Sequence, residues 1–370
     1  MNVFSRISAA LSILFLAGCA TVGRDKPPTL ASAAAPAWSA RAVNDEMIVA
    51  VSSVRQSVQI LSTSAALVGA GVDAVVNARL KAAVLKVLGD YDAGAVFDQK
   101  IEARLNESRP GLVRVAPLQS TAGFDSERDA QAARRAALAK RGHDALMDLE
   151  MTYGLFGYEG MLVAKLNGYL TLLPDNKVLW RNSIVVSPEP ILTSDKLSDP
   201  TKRLGPNLSS PRLTVEKEAI DKWTRDGGQM IRTRFESAAD GAISAMLCDL
   251  GLADEPAGHY YLGKLAMNRK KFKLAEEHFQ KALAIDPRYI EALNGRAVNL
   301  AHNKQIDDAI GLERKLVESA PDYAPGWLNL AWFYAIGKKD AAAAKPCYEK
   351  ALELGAAPEK KLEKAINNRT

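Results

Sequence analysis

The sequence predicts an α+β protein, in which a small α/β domain with an antiparallel or mixed sheet precedes an all-α domain of helical repeats. Apolar and polar residues alternate over residues 162–172, a pattern typical of a half-buried strand. Pro287 and Pro321 are 34 residues apart, a period typical of paired-helix repeats. We therefore expect residues 43–253 to form the α/β domain and residues 254–370 to form three repeats and a capping helix.

The composition is that of a globular protein. Hydrophobic residues make up 48% and charged residues 25% of the 370-residue chain, which excludes a mostly disordered protein and one with many membrane spans. Three cysteines are too few for a disulfide framework. The net charge of +5 arises in the C-terminal third and is too small for a nucleic-acid-binding surface, so we expect no nucleic acid partner.

The first residues have the pattern of an export signal. Arg6 precedes an uncharged, largely apolar stretch, residues 7–17, that is too short to span a bilayer as a helix. The stretch runs into Leu16-Ala17-Gly18-Cys19, which resembles the signal box of bacterial lipoproteins. The resemblance implies that residues 1–18 are a signal peptide and that Cys19 carries diacylglycerol and an N-acyl (palmitate) chain. An ordinary secretory signal with a chance cysteine, or an uncleaved anchor, is the alternative.

The residues after the box predict an address and a tether. Ala20, not an aspartate, follows Cys19, and the sorting rule of enteric lipoproteins then implies the outer membrane, with the body of the protein in the periplasm. Residues 19–42 contain several prolines and alanines and few large apolar residues. This composition predicts a flexible tether that holds the folded part away from the lipid surface.

The next segments predict helices with one short strand. The uncharged patch 61–72 predicts a buried turn, with a membrane-dipping hairpin as the alternative. Apolar residues at three- and four-residue steps predict helices over 73–88 and 95–109. Residues 112–118 predict a strand, and residues 125–141 a helix capped by Asp125 or Ser126.

Three longer strands follow, and we expect them to form the centre of the sheet with all helices on one of its faces. Alternation of apolar and polar residues predicts each of them, and the sequence Pro174-Asp175-Asn176-Lys177 supplies turn residues between the last two. The predicted elements are strands 145–156, 162–172 and 178–186, a Pro/Ser-rich loop 187–212 and a closing helix 214–250.

The hairpin LPDNKVLWRNSIVV, residues 173–186, places a tryptophan on the returning strand. It looks like the corresponding hairpin of small envelope lipoprotein domains of the curli-secretion-channel and penicillin-binding-protein-activator types. The resemblance covers roughly residues 100–250, is topological and includes no diagnostic motif. It implies an α/β domain of the same kind, and in the channel type such domains oligomerise.

The C-terminal third resembles the tetratricopeptide family. In this family small residues let two helices approach, large residues fill the gap between them and a proline ends each second helix. Glu313 and Leu316 depart from the pattern, and one residue is inserted near Lys338-Lys339-Asp340. The matching residues are Leu262, Gly263, Ala275, Phe279, Ala282 and Pro287 in the first unit, Ala297, Leu300, Ala309 and Pro321 in the second, and Trp327, Leu330, Ala331, Tyr334, Ala344, Tyr348 and Ala351 in the third.

The resemblance implies a concave groove lined by the first helix of each repeat. An aromatic and aliphatic groove with one lysine suits an extended or helical peptide. Pro325 and Asn329 stand where the family's carboxylate clamp has cations, so binding of an acidic C-terminus is not supported. The alternative is that several of these residues pack against the α/β domain. The predicted groove residues are Tyr260, Lys264, Met267, Asn268, Asn294, Val298, Leu328 and Trp332.

No motif for catalysis or for a metal or cofactor is evident. The histidines lack a partner at metal-ligand spacing, and His278 is expected on the surface of a repeat helix. Cys248 and Cys347 are expected to be buried single thiols, with a disulfide between them as the alternative. The basic turn 269–273 is expected to be solvated, with contact to anionic lipid headgroups or glycan as the alternative.

We therefore predict an outer-membrane-anchored periplasmic lipoprotein that is not an enzyme and needs no cofactor. It would act as a tetratricopeptide scaffold or adaptor in cell-envelope assembly, with envelope proteins bound in the groove and the membrane reached through Cys19. The alternative is a component of an envelope export or secretion channel that oligomerises through its α/β domain. Homo-oligomerisation stays open, and an enzyme with an unrecognised site is a third hypothesis.

Overall fold

A computed structural model describes residues 33–43, 46–50, 78–118, 125–156, 160–194 and 221–367, together with residues 30 and 123. The signal peptide, Cys19 and the patch 61–72 lie outside the described residues. Within them, no helix is both long enough and apolar enough to cross a membrane.

The α/β domain contains a mixed sheet, as predicted. Its strands lie in the order β3-β1-β4-β5-β6, and β2 pairs with β4 beyond the end of β1. The pairs β1–β3, β1–β4 and β2–β4 are parallel, whereas β4, β5 and β6 form an antiparallel meander. The strands are β1 (Pro36–Ala42), β2 (Ile48–Ala50), β3 (Val113–Arg114), β4 (Ala145–Phe156), β5 (Met161–Leu172) and β6 (Val178–Val186).

Strand β1 corrects the predicted tether, which was expected to extend to residue 42. Residues 36–42 lie between β3 and β4, with Ala37, Trp38 and Ala40 buried. Pro36 is the first residue of the strand, a position where the missing N–H of proline does little harm. The small alanines suit a strand packed on both faces, so a composition that resembles a linker belongs to the centre of the sheet.

Within the described residues, four longer helices accompany the sheet, and one helical turn, residues 221–224, precedes the last of them. Ser126 caps α3 by accepting a hydrogen bond from the main-chain N–H of Asp129, in agreement with the predicted start. The predicted closing helix 214–250 is not continuous, because Gly227 and Gly228 adopt left-handed conformations before α4 begins. The helices are α1 (residues 78–88), α2 (Ala93–Ser108), α3 (Glu127–Lys140) and α4 (Gln229–Leu250).

The helices lie on both faces of the sheet, which corrects the expectation that they share one face. Helices α2 and α4 pack with Trp38 and Met147 in the main core. Helix α3 lies on the opposite face, where Leu138 packs against Ala37 and Leu146. Alternate residues of β1 and β4 are apolar on each side of the sheet, so both faces need a cover.

The C-terminal part is a stack of antiparallel helix pairs. The residues at the turns within the pairs, Lys270, Lys304 and Lys339, all have positive φ values (57°, 64° and 59°). The interval from Lys304 to Lys339 is one residue longer than that from Lys270 to Lys304. The π-helix Phe333–Lys338 after α9 absorbs this inserted residue. The helices are α5 (Pro256–Asn268), α6 (Phe272–Ile285), α7 (Ile290–His302), α8 (Ile306–Ser319), α9 (Ala324–Trp332), α10 (Ala341–Glu353) and α11 (Lys360–Asn367).

Close packing of α4 on α5 joins the α/β domain to the helical stack. A Cβ atom on Gly258 would lie 2.4 Å from the Cys248 sulfur, and one on Gly241 would lie 2.3 Å from the Tyr261 ring. These glycines allow the two helices to approach closely. The stack therefore continues directly from the core of the α/β domain.

Candidate peptide-binding groove

The predicted groove residues lie on the first helices of the repeats, but most of them are not accessible. Asn294 and Val298 are fully buried, and Met267 is 1% exposed. Tyr260, Leu328 and Trp332 are also buried in the core cluster of the helical stack. Something other than solvent therefore covers this face.

Neighbouring helices bury many of these side chains, and part of the cover is the segment Ser187–Ser194, which follows β6 directly and which we call the cis segment. Its Ile191 side chain is 4% exposed and belongs to the core cluster of the helical stack. A Cβ atom on Gly295 of α7 would lie 3.1 Å from Ile191 Cδ1. The Phe279 ring comes closer still, at 2.7 Å, so the missing side chain at this position makes room for Phe279 and Ile191 together.

Side chains from three successive repeats hold the main chain of the cis segment. Lys264 Nζ donates to the carbonyl oxygens of Ser187, at 2.9 Å, and of Glu189. Asn294 Nδ2 and Asn329 Nδ2 both donate to the carbonyl oxygen of Ile191, at 2.8 and 3.0 Å. These contacts are made to main-chain carbonyl groups of the segment rather than to its side chains.

Asn329 makes the largest number of these contacts. Its Oδ1 accepts hydrogen bonds from the main-chain N–H and the hydroxyl of Thr193, at 2.7 and 3.0 Å. Its Nδ2 also donates to Asn294 Oδ1 at 2.8 Å. Both asparagines have no exposed surface, and a buried amide without partners would be costly. The pair is thus a satisfied polar network inside an apolar groove.

The capping helix region closes the end of the groove. Glu359 accepts one hydrogen bond from the Ser194 hydroxyl at 2.7 Å and another from Trp332 Nε1 at 2.8 Å. The main-chain N–H of Glu359 donates to the Tyr348 hydroxyl at 2.8 Å. Trp332 is therefore linked to the end of the cis segment through the Glu359 carboxylate, which bonds both Trp332 and Ser194.

Two predicted groove residues, Lys264 and Asn294, bond the cis segment, as expected if several of these residues pack against the α/β domain. Asn268 makes no hydrogen bond to residues 187–194. Sequence reasoning missed the roles of Asn329, Gly295 and Glu359. The one available signal was the recurrence of asparagine near the same position of two successive first helices, Asn294 and Asn329.

The fold also brings together two histidines that are 19 residues apart. His259 Nδ1 lies 3.3 Å from His278 Nδ1, and His259 Nε2 lies 2.6 Å from an Asp254 carboxylate oxygen. Burial, with a smaller effect of His259, lowers the pKa of His278 to about 4. His278 is half-buried, so its expected surface position is wrong. No group of side chains among the described residues is arranged to hold a metal ion.

The remaining features singled out in the sequence are the two cysteines and the basic turn. Cys248 and Cys347 are free thiols, as predicted, and burial raises the pKa of each to about 11. Thiols with such a pKa are largely protonated at neutral pH. In the basic turn, Arg269 donates to the carbonyl oxygen of Ser183 at 2.9 Å, and Lys270 is exposed.

Comparison with known proteins agrees with the helix-pair geometry. The tetratricopeptide repeat family matches residues 256–289, which span α5 and α6, and residues 324–355, which span α9 and α10. The C-terminal region contains tetratricopeptide repeats. Residues between the two matches form the helix pair α7–α8 of the same stack.

Three curated relatives match about a quarter of the chain. They are an Hsp70-Hsp90 organizing protein of Triticum aestivum (35% identical over 92 residues), the protein O-mannosyl-transferase Tmtc3 of Drosophila melanogaster (31% over 94 residues) and a heat shock protein sti1 homolog of Schizosaccharomyces pombe (32% over 92 residues). The matches cover 25% of this chain but only 16%, 10% and 15% of the respective relatives. No solved structure matches the chain significantly.

Proposed function

We propose that this chain is a scaffold protein of the bacterial cell envelope whose tetratricopeptide repeats hold extended segments of partner proteins. One observation carries the proposal. Lys264, Asn294 and Asn329, from three successive repeats, hold the cis segment by its main-chain carbonyl groups. Such a site suits protein segments as ligands, and the wheat relative, named for organizing Hsp70 and Hsp90, supports a use of these repeats in bringing proteins together.

We further propose that Cys19 is lipidated and anchors the protein in the outer membrane, with the folded domains in the periplasm. The lipoprotein-type box Leu16–Cys19 supports the anchor, and the resemblance of residues 100–250 to envelope lipoprotein domains supports the location. The proposed role is binding rather than catalysis. Anchoring would raise the local concentration of the scaffold near envelope partners.

Affinity co-purification from native membranes, followed by mass spectrometry, tests the binding role. The groove variant Asn294→Leu/Asn329→Leu keeps the side-chain volume but removes both amides, so we expect it to lose partners that the wild type retains. The control is Asn299→Ala, because Asn299 is an equally buried asparagine of α7 that bonds within the repeats, to Phe272 and Glu276. Retention of the same proteins by the groove variant would contradict the proposal.

Metabolic labelling with palmitate tests the anchor. We expect Cys19→Ser to lose the label and to leave the membrane fraction. Cys347→Ser, a change at a buried free thiol, is the matched control and keeps both. An equally labelled and membrane-bound Cys19→Ser protein would contradict lipidation at this residue.

A further inference from the structure

We propose that the cis segment is an internal ligand, and that a partner binds by displacing it with an extended segment of the same chemistry. The cis segment has the sequence Ser-Pro-Glu-Pro-Ile-Leu-Thr-Ser, residues 187–194. A partner segment of the same kind would have prolines, an aliphatic residue after them, and Ser or Thr two residues after the aliphatic one. This inference rests on the proposed function, because it takes the groove to be a protein-binding site.

The two prolines prepare the segment for this groove. Ser187 and Glu189, whose carbonyl groups bind Lys264, each precede a proline, and a residue before proline is restricted to extended conformations. Pro188 and Pro190 themselves have no N–H that would be left without a partner. A ligand with this sequence therefore loses less conformational freedom on binding.

Two further positions define what the groove selects. Ile191 is buried in the core of the helical stack beside Gly295 and Phe279, so a charged or much smaller residue would leave either an unpaired charge or a void there. The hydroxyl of Thr193 donates to Asn329 Oδ1, so the groove prefers a hydroxyl residue at this position. Glu359 accepts from Ser194 and adds a weaker preference at the next residue.

The connection to β6 explains why the groove is occupied in the isolated chain. The strand ends at Val186 and the first groove contact is made at Ser187, so no linker separates them. A directly attached ligand has an effective concentration on the order of millimolar. The contacts are mostly hydrogen bonds around a single buried aliphatic side chain, which suits an occupant that exchanges with a competitor.

The experiment measures the affinity of the full chain for a fluorescein-labelled peptide with the sequence of residues 187–194, by fluorescence anisotropy. The release variant Ile191→Asp/Thr193→Val should bind the peptide at least tenfold more tightly than the wild type, because a groove that is free a tenth of the time binds tenfold more weakly. Adding Asn329→Leu to the release variant should remove this binding. Adding Asn299→Ala should leave it unchanged.

Thr193→Val alone provides a second variant that keeps the shape of the segment. Its folding is checked by circular dichroism, and we expect a smaller gain in peptide affinity than for the release variant. Equal affinity of wild type and both variants for the peptide would overturn the displacement mechanism, and absence of binding to all of them would overturn the recognition sequence. Co-purification of partners from native membranes is a separate measurement. If the peptide binds but no partner protein co-purifies, the proposed function is contradicted, whereas the proposal of an internal ligand is not.

Discussion

Asn329→Ala removes the side chain that joins the cis segment to the repeats most strongly. Three of its hydrogen bonds go to the segment, to Ile191 and to the N–H and hydroxyl of Thr193, and one goes to Asn294. A typical hydrogen bond contributes about 0.5–1.5 kcal/mol, and a buried group left without a partner costs about 1–3 kcal/mol. Because Asn294 still bonds Ile191, we expect a loss of about 2–4 kcal/mol in the free energy of unfolding.

A double-mutant cycle with Thr193→Val isolates the contact to the segment from the contacts within the repeats. One hydrogen bond, Thr193 Oγ1 to Asn329 Oδ1 at 3.0 Å, joins these two side chains. We therefore expect a coupling energy of about 1 kcal/mol. Urea unfolding followed by circular dichroism measures the free energy of unfolding for the four full-length members of the cycle: wild type, both single mutants and the double mutant.

The same cycle with Asn299→Ala in place of Asn329→Ala is the control. Asn299 bonds Phe272 and Glu276 rather than the cis segment, so its effect and that of Thr193→Val should add within about 0.5 kcal/mol. If the coupling of Thr193 to Asn329 is no larger than in this control, the segment does not occupy the groove in solution and the reasoning is refuted.

Three further predictions concern stability. Burial raises the pKa of Glu313, whose oxygens have no hydrogen-bond partner among the described residues. The contribution of Glu313 to the free energy of unfolding should therefore be lost as pH rises above 4.5, by up to about 1.4 kcal/mol per pH unit. Urea titrations at several pH values should show Glu313→Gln without this loss, and the same pH dependence of stability in both proteins would contradict it. The sign is opposite for His278, whose pKa is lowered to about 4: its contribution to stability is present above pH 6.5 and is lost as pH falls toward 4. The stability of His278→Asn should therefore fall less steeply with decreasing pH than that of the wild type. The same loss of stability in acid for both proteins would count against this. In calorimetry, Gly258→Ala should lower Tm and cost about 1–3 kcal/mol of stability, since its Cβ would lie 2.4 Å from the Cys248 sulfur. Gly311→Ala, whose Cβ would have nothing within 4 Å, should instead gain about 1 kcal/mol. Shifts of Tm in the same direction would argue against the packing described.

Elements with a strong local pattern could be predicted from the sequence with accurate bounds. Strands β4 and β6 begin and end at the predicted residues, because alternation over a half-buried face leaves a period of two. The helix pairs follow from a 34-residue period that packing of small against large residues imposes. Even the inserted residue could be located, although its form, the π-helix Phe333–Lys338, could not.

Features that depend on distant parts of the chain could not be predicted. Strand β1 pairs with β4, more than 100 residues away, and its alanines carry no alternation of apolar and polar residues. The cis segment is held mainly through its main chain and lacks the periodicity of a helix or strand, so its sequence resembles a solvated Pro/Ser-rich loop. Asn294 was predicted as a groove residue, but its ligand was not, because every residue type has the main-chain carbonyl group that the Asn294 amide binds.

The most direct test of this account is hydrogen exchange of the main-chain amides of Ile191, Leu192 and Thr193 in the full-length wild-type protein. We predict that Thr193, whose N–H is bonded to Asn329, exchanges far more slowly than an unstructured peptide, and that excess peptide with the sequence of residues 187–194 accelerates this exchange. Exchange at the rate of an unstructured peptide would show that the groove does not hold the cis segment. Slow exchange unaffected by a bound peptide would show that the two do not compete.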